Sequence, residues 1–404
     1  MNNDPRHRLD PYADQYATRA KTMLASEIRA LFAVAARPEV VSLAGGMPCI
    51  TALPLDTVGE LAGQLVTDRG SVALQYGSGQ GDPGLRERIC EVMALEGIRA
   101  HPDEVVVTVG SQQALDLITR IFIDPGDVVL AEAPSYVGAL GTFASYQASV
   151  VHVPMDDDGI IPEALEETIT RLGAAGRRIK FLYSVPTFHN PAAVTLAAGR
   201  RPRILDICRR SDLLLIEDNP YGLLGFDGEP QRALRADSAD GVVYLGTFSK
   251  TVAPGLRVGW ALAPHGIRDK LVLAAEAAVL CHSSLAQLMV REYLASQPWQ
   301  QQIKLFRELY AERRDAMLDA LRSGMPPGGL DAKAMLPRAI SARVAYVPGT
   351  GFYADGSGRE YLRLSYCYPE PARIREGIRR LAGVVEAEMD LRATFGTRQA
   401  DGTA

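Results

Sequence analysis

The stretch GTFSKTVAPGLRVGW, Gly246 to Trp260, sets one lysine among small residues directly after the apolar run Val242-Val243-Tyr244-Leu245. A short apolar run bounded by Asp240-Gly241 and Gly246 predicts a buried strand, which leaves Lys250 just past its C-terminal end. Open α/β sheets carry their chemistry at that edge. Three roles compete for such a lysine: a solvated surface cation, a phosphate-loop lysine, or an amine that forms a Schiff base. A phosphate loop ending at Lys250 needs glycine at positions 244 and 249, where this chain has Tyr244 and Ser249, so that reading fails.

Outward from this stretch, short apolar runs alternate with helical stretches between about residues 70 and 290. The runs are EVVVTVG, DVVLAEA, ASVVHVP, IKFLYSVP, DLLLIEDNP, GVVYLGTFS and RVGWALA, and the helical segment SQQALDLITRIF follows the first. This alternation predicts an α/β domain built on a mostly parallel, seven-stranded sheet with helices on both faces. A long helical stretch from Ser283 through Arg322, broken near Pro298, leads to shorter elements such as VAYVP and YLRLSY, which predict a smaller α+β domain. The expected division is 1–45 as an N-terminal arm with part of the small domain, 46–290 as the large domain, and 291–404 as connecting helix and small domain.

Composition limits the partners. The 404 residues (43.7 kDa) are 47% hydrophobic and 23% charged with a net charge of −5, an ordinary globular balance without the basic footprint of a nucleic-acid binder. The start, MNNDPRHRLDPYADQ, lacks an apolar signal core, and no run of about 18 apolar residues occurs, so the expected place is the cytoplasm rather than a membrane. The five cysteines have no CxxC spacing and the six histidines no HxxxH or HExxH pair, which argues for reduced thiols and against a metal site.

Two further segments suggest phosphate binding. GQGDPG, Gly79 to Gly84, satisfies GxGxxG, but no strand precedes it, so it is expected to be a turn that opens a helix at Pro83. Gly110-Ser111-Gln112-Gln113 instead lies between a predicted strand and a predicted helix, where free N–H groups and the Ser111 hydroxyl suit a phosphate. Its bland alternative is an ordinary N-cap serine. Asp218 ends the run LLLIED at a second strand edge, where it either caps the Asp-Asn-Pro turn or serves a ligand. Strand-end amine, strand-end carboxylate and helix-start phosphate site are together what pyridoxal phosphate requires.

At these residues the chain resembles the class I/II aminotransferases of the fold type I pyridoxal-phosphate enzymes, in particular the 2-aminoadipate and kynurenine aminotransferases. The resemblance runs from about Ser26 to the final helix through SLAGGMP, LQYGSGQGDPGLRE, GSQQAL, APSYVGAL, PTFHNP, EDNPYG, the Lys250 stretch and YLRLSY. It implies that Lys250 is the Schiff-base lysine and proton shuttle and that Asp218 is the partner of the pyridine nitrogen. It further implies that Asn190 and Tyr221 face the cofactor's 3-oxygen and that Tyr136 stacks on the ring. Ser111, Gln112, Ser249 and Arg257 are expected in the phosphate cup, with Tyr76 reaching the phosphate across a homodimer interface. For the substrate it implies an α-carboxylate clamp at Arg363, with Asn190 and Gly46 beside the substrate. Arg29 matches a position that meets acidic side chains in some relatives, against the plain reading of a solvated helix arginine. His189 and His282 are expected to be structural or to line the substrate.

The expected reaction is transfer of an amino group from an L-amino acid to a 2-oxo acid, 2-oxoglutarate by resemblance, in ping-pong half reactions. A lyase or cyclase on the same fold and a non-catalytic ligand-binding protein remain as alternatives. The sequence departs from its relatives after MPPGG, residues 325–329, where an element on the order of twenty residues is missing, so the small domain is expected to lack a strand after Gly329. Smaller departures are His189, and Ala193 where glycine is commoner.

Overall fold

The computed structural model describes residues 10–21 and 37–395, and these divide into two compact units. The first takes in Ile50–Leu305 with the described residues before 22, and the second takes in residues 37–49 with those from Phe306 onward. The division therefore falls later than 290. The helix Ser284–Ser296 buries Val290, Tyr293 and Leu294 in the core of the first unit, and Ile303 follows them. Residues 10–21 likewise group with the first unit, not with the second as expected of an arm running to residue 45.

All seven apolar runs of the first unit fold as strands: β2 (Val105–Thr108), β3 (Val128–Ala133), β4 (Ser149–Asp156), β6 (Ile179–Ser184), β7 (Leu214–Asp218), β8 (Val242–Thr247) and β9 (Gly259–Leu262). The sheet has eight strands rather than seven. The addition, β5 (Gly159–Ile160), returns antiparallel along β4 after the turn Asp157-Asp158, too short to register as an apolar run. Strand order is β2-β9-β8-β7-β6-β3-β4-β5, with β3, β4, β6, β7 and β8 mutually parallel. β9 runs antiparallel to both of its neighbours, so its N-terminal end lies on the same edge as the C-terminal ends of β2 and β8.

Both faces of the sheet are covered, as the continuous apolar strands require. One core joins Val129, Phe181, Tyr183, Ile216 and Val243 to Leu115 and Ile118 of the helix Gly110–Phe122. Another packs Leu130, Leu182 and Leu215 against Leu165, Ile204 and Ile207. The GQGDPG segment forms the expected turn: the Asp82 carboxylate accepts from Leu85 N at 2.8 Å, and Pro83 begins the helix Pro83–Ala94.

The second unit is α+β. Its strands are only two residues long and form two separate pairs, β1 (Val41–Ser42) parallel to β10 (Val344–Ala345) and β11 (Val347–Pro348) antiparallel to β12 (Leu362–Arg363). No strand lies between Gly324, where a long helix ends, and Ala332, where the helix Ala332–Ser341 begins on an Asp331 cap. The core is instead supplied by Met335, Ile374, Ile378 and Leu381 packing on Val41, Leu43 and Tyr346. Beside the short connection an open groove of about 700 Å³ is lined by Gly329, Met335, Arg338, Leu391 and Phe395, among others.

Candidate active site

Nine of the expected cofactor residues lie on one edge of the large sheet. Ser111 and Gln112 follow β2, Arg257 precedes the antiparallel β9, and Ser249 and Lys250 follow β8. Asp218 ends β7 with Tyr221 just beyond it, Asn190 follows β6, and Tyr136 follows β3. These six strands are consecutive in the sheet. The edge is the one where α/β sheets bind ligands, because strand ends there open onto helix N-termini.

The helix Gly110–Phe122 begins without a side-chain cap. Its N-cap residue is Val109, so Ser111 is not the capping serine that sequence alone allowed. The first N–H groups of this helix are thus left for an anion, as is its partial positive charge. Arg257 supplies a full charge beside them. It sits in the left-handed region (φ 53°), donates from Nη2 to Val109 O at 3.0 Å and from Nη1 to Ser249 Oγ at 3.3 Å, and so ties the lysine loop to the helix start. The contact is close because two residues lack side chains. A Cβ on Gly110, itself at φ 73°, would lie 2.5 Å from Arg257 Nη2, and a Cβ on Gly259 would lie 2.6 Å from the backbone of Gly110.

Gln112 reaches across to the next helix, donating to Thr142 Oγ1 at 2.8 Å, and Tyr136 stands half-buried at the start of that helix, Val137–Ser145. Gly138 leaves room for the ring, since a Cβ there would sit 2.5 Å from it. Asn190 Nδ2 donates to Tyr221 Oη at 3.4 Å, bringing these two together. Lys250 is half-buried in the turn after β8, and in the strand register Leu245 of β8 pairs with Asp218 of β7.

Asp218 is the most constrained group of the set. It is 5% exposed, and its Oδ2 accepts from Tyr183 Oη at 2.8 Å while its Oδ1 is buried without a hydrogen-bond partner. Burial raises its carboxyl to about 6, and the Tyr183 hydroxyl opposes that rise. A buried carboxylate oxygen left open costs free energy unless a ligand's donor meets it.

Three features were not anticipated from sequence. Tyr183 is one. Another is Glu132, which accepts from Ser184 Oγ (2.7 Å) and Val185 N (2.8 Å) and so holds the chain where it leaves β6 towards Asn190. His189 belongs to this support: its Nδ1 accepts from Ala192 N at 3.2 Å, and its Nε2 lies 3.1 Å from Glu132 Oε2, off the hydrogen-bonding direction. The third is a buried pair behind β7 and β8. Glu96 accepts from Tyr244 Oη (2.6 Å) and Asn219 Nδ2 (2.8 Å), Glu217 accepts from Leu234 N and Arg235 N, and burial raises both carboxyls to about 7. A charged letter inside an otherwise apolar strand, as in VVLAEA and LLLIED, is the signal that such partners exist.

The substrate-side residues fall elsewhere. Arg363 and Gly46 belong to the second unit, and Arg29 lies outside the described residues. Arg363 donates from Nη2 to Ala44 O at 2.6 Å, and its guanidinium stands 5.2 Å over the Phe352 ring. Tyr76 is 76% exposed in the single chain. Among the described residues no cluster of His, Cys, Asp and Glu suits a metal, none of the five cysteines forms a disulfide, and no helix is long and apolar enough to cross a membrane.

Comparison with known proteins gives the family. A sequence model of the family described as aminotransferase class I and II matches residues 39–381. The chain belongs to the class I and II aminotransferases. It is 40% identical over 399 residues to aromatic-amino-acid aminotransferase 1 of Thermococcus litoralis, covering 94% of this chain and 95% of that one. It is 36% identical to the 2-aminoadipate transaminase of Thermus thermophilus, covering 94% and 98%. Among solved structures, the Pyrococcus horikoshii kynurenine aminotransferase, in complex with pyridoxamine phosphate, superposes with a TM-score of 0.89 at 37% identity, covering 95% of this chain and 99% of that chain.

The fold is therefore that of the type I pyridoxal-phosphate enzymes, the cofactor is pyridoxal phosphate, and this aminotransferase moves an amino group between an amino acid and an oxo acid. The residues present fit that cofactor. An uncapped helix start with Arg257 suits a phosphate, and the open Oδ1 of Asp218 suits a protonated ring nitrogen.

Proposed function

We propose that this aminotransferase takes an aromatic or 2-aminoadipate-type L-amino acid as donor and 2-oxoglutarate as acceptor, and acts as a cytoplasmic homodimer. The donor class is carried over from the relatives, and the acceptor from the resemblance. The observation that carries the assignment of roles is the buried Asp218 with one open oxygen, on the strand next to the one that leads to Lys250.

When bound, the cofactor supplies an electron sink for the charge left as a substrate Cα proton departs. In this reading Asp218 would keep the ring nitrogen protonated, and the Lys250 amine would hold and return the Cα proton as a positioned base. Ser111, Gln112, Ser249 and Arg257 hold the phosphate. Asn190 and Tyr221 orient the ring through its 3-oxygen, and Tyr136 covers one face. Arg363 takes the α-carboxylate, a role its planar fork suits, with Gly46 beside the substrate and Arg29 towards an acidic side chain. The high exposure of Tyr76 supports a role towards a second subunit.

The test is an amino-donor panel with 2-oxoglutarate and purified protein. Glutamate formed in step with the donor's oxo acid is expected, fastest with aromatic donors or 2-aminoadipate. Release of ammonia or carbon dioxide without glutamate would favour a lyase, and no product from any donor would overturn the reading.

A further inference from the structure

We propose that Tyr183 is a positioning residue for the cofactor: its hydroxyl occupies Oδ2 of Asp218, keeps that carboxylate anionic, and leaves Oδ1 as the one oxygen for the ring nitrogen. The inference rests on the reading of Asp218 given above.

The geometry follows from the strand register. β6 and β7 are parallel with Tyr183 opposite Ile216, and Asp218, two residues further on, returns to the same face. A tyrosine is long enough to reach that diagonal neighbour, and its Oη donates to Oδ2 at 2.8 Å. The ring is fully buried and held edge-on by Phe143, with centroids 5.6 Å apart, so the hydroxyl has little freedom to choose another acceptor. Phenylalanine would fill the same core space without a polar atom to satisfy, as Phe181 does two residues earlier on the same strand face.

The hydroxyl is also the right kind of donor. Burial beside Asp218 holds the Tyr183 hydroxyl well above its ordinary range, so it stays protonated and gives its hydrogen to the carboxylate. An acid in an apolar strand end otherwise drifts towards its neutral form, which pairs poorly with a protonated ring nitrogen. The second oxygen is buried and open, which matches a ligand that brings a single N–H donor.

The plain alternative is a core tyrosine whose hydroxyl found a nearby acceptor. Apoprotein forms of the wild type, Tyr183→Phe, Asp218→Asn and the double variant, each titrated with pyridoxal phosphate and with its 1-deaza analogue, separate the two. The analogue has C–H in place of the ring nitrogen. Tyr183→Phe is expected to weaken pyridoxal phosphate by about tenfold or more, the scale of a hydrogen bond to a charged group. It is expected to leave the analogue within about twofold, since no ring nitrogen then depends on Asp218. In the Asp218→Asn background it is expected to cost nothing further for pyridoxal phosphate. Equal weakening for both ligands, or none for either, overturns the proposal while leaving the cofactor site intact. Failure of the wild type to bind either ligand overturns the reading of the site and this inference with it.

Discussion

Lys250 and Asp218 face different parts of the same chemistry, so their variants should fail differently. Lys250→Ala is expected to lose the covalent chromophore and transamination together, and wild-type turnover in that variant would contradict its role. Asp218→Asn is expected to bind cofactor more weakly yet still saturably, and to slow Cα deprotonation in the saturated enzyme by about a hundredfold or more, because the lost charge matters most as the transition state forms. Single-turnover deuterium exchange at Cα measures this, and equal rates in both proteins would remove Asp218 from the step. Ala193 offers a stability test. It sits at φ 60° in the loop after Asn190, where a Cβ is strained, so Ala193→Gly is expected to stabilise by about 0.5–1 kcal/mol after the extra freedom glycine gains in the unfolded chain. A lower thermal midpoint would show that the loop does not carry that strain. At this scale Lys250 and Asp218 were legible because each stands just past an apolar run, Val242–Leu245 and Leu213–Ile216. Tyr183 was not, since its partner lies on another strand and 35 positions away.

The junction between the helix Gly110–Phe122 and β9 depends on two backbones meeting without side chains. In Gly259→Ala the new Cβ would fall 2.6 Å from the backbone of Gly110, so either the helix start or the loop carrying Arg257 must shift. We expect cofactor affinity to fall about tenfold or more, as misplacing a charge-assisted phosphate contact would do. Gly255→Ala, with nothing within 4 Å of its added carbon, is the control, and the two variants should differ clearly in cofactor titrations. Equal affinities would mean that the cup tolerates the shift. Among elements, the seven longer strands were readable from apolar runs alone. The hairpin strand β5 was not, because two residues carry no period. At the helix start the alternative of a capping Ser111 stayed open in the sequence because serine is a natural capping letter, whereas the backbone puts the N-cap at Val109, two residues earlier.

For the molecule as a whole, buried carboxylates make stability depend on pH in the approach to neutrality. Glu96 and Glu217 titrate near 7 when folded, above their ordinary value of 4.5, so the folded state holds more protons and loses stability as pH rises from about 4.5 through 7. The carboxylates that salt bridges depress, such as Asp156, act in more acidic solution and leave this window alone. The thermal midpoint of the loaded enzyme should therefore fall between pH 5.5 and 8, and fall by less in Glu96→Gln, whose amide still accepts from Tyr244. Identical slopes would exclude Glu96 as the source. Assembly gives a second test: if Tyr76 serves a partner's phosphate, activity should decline with dilution as dimers separate, and a fully active monomer by light scattering would remove that role. The division into two units was only partly legible, since the boundary at Leu305 falls inside the unbroken helix Trp299–Gly324, where only packing marks it. One feature of the sheet also bears on the order of events during synthesis. Among the described residues β2 pairs in the sheet with β9 alone, and β9 is made about 150 residues later. Until the ribosome has released Leu262, the strand that leads into the phosphate helix has no partner, and a chain halted earlier exposes an unpaired edge to other nascent chains. The catalytic edge is thus completed in one late step, by insertion of the last strand between two that already exist.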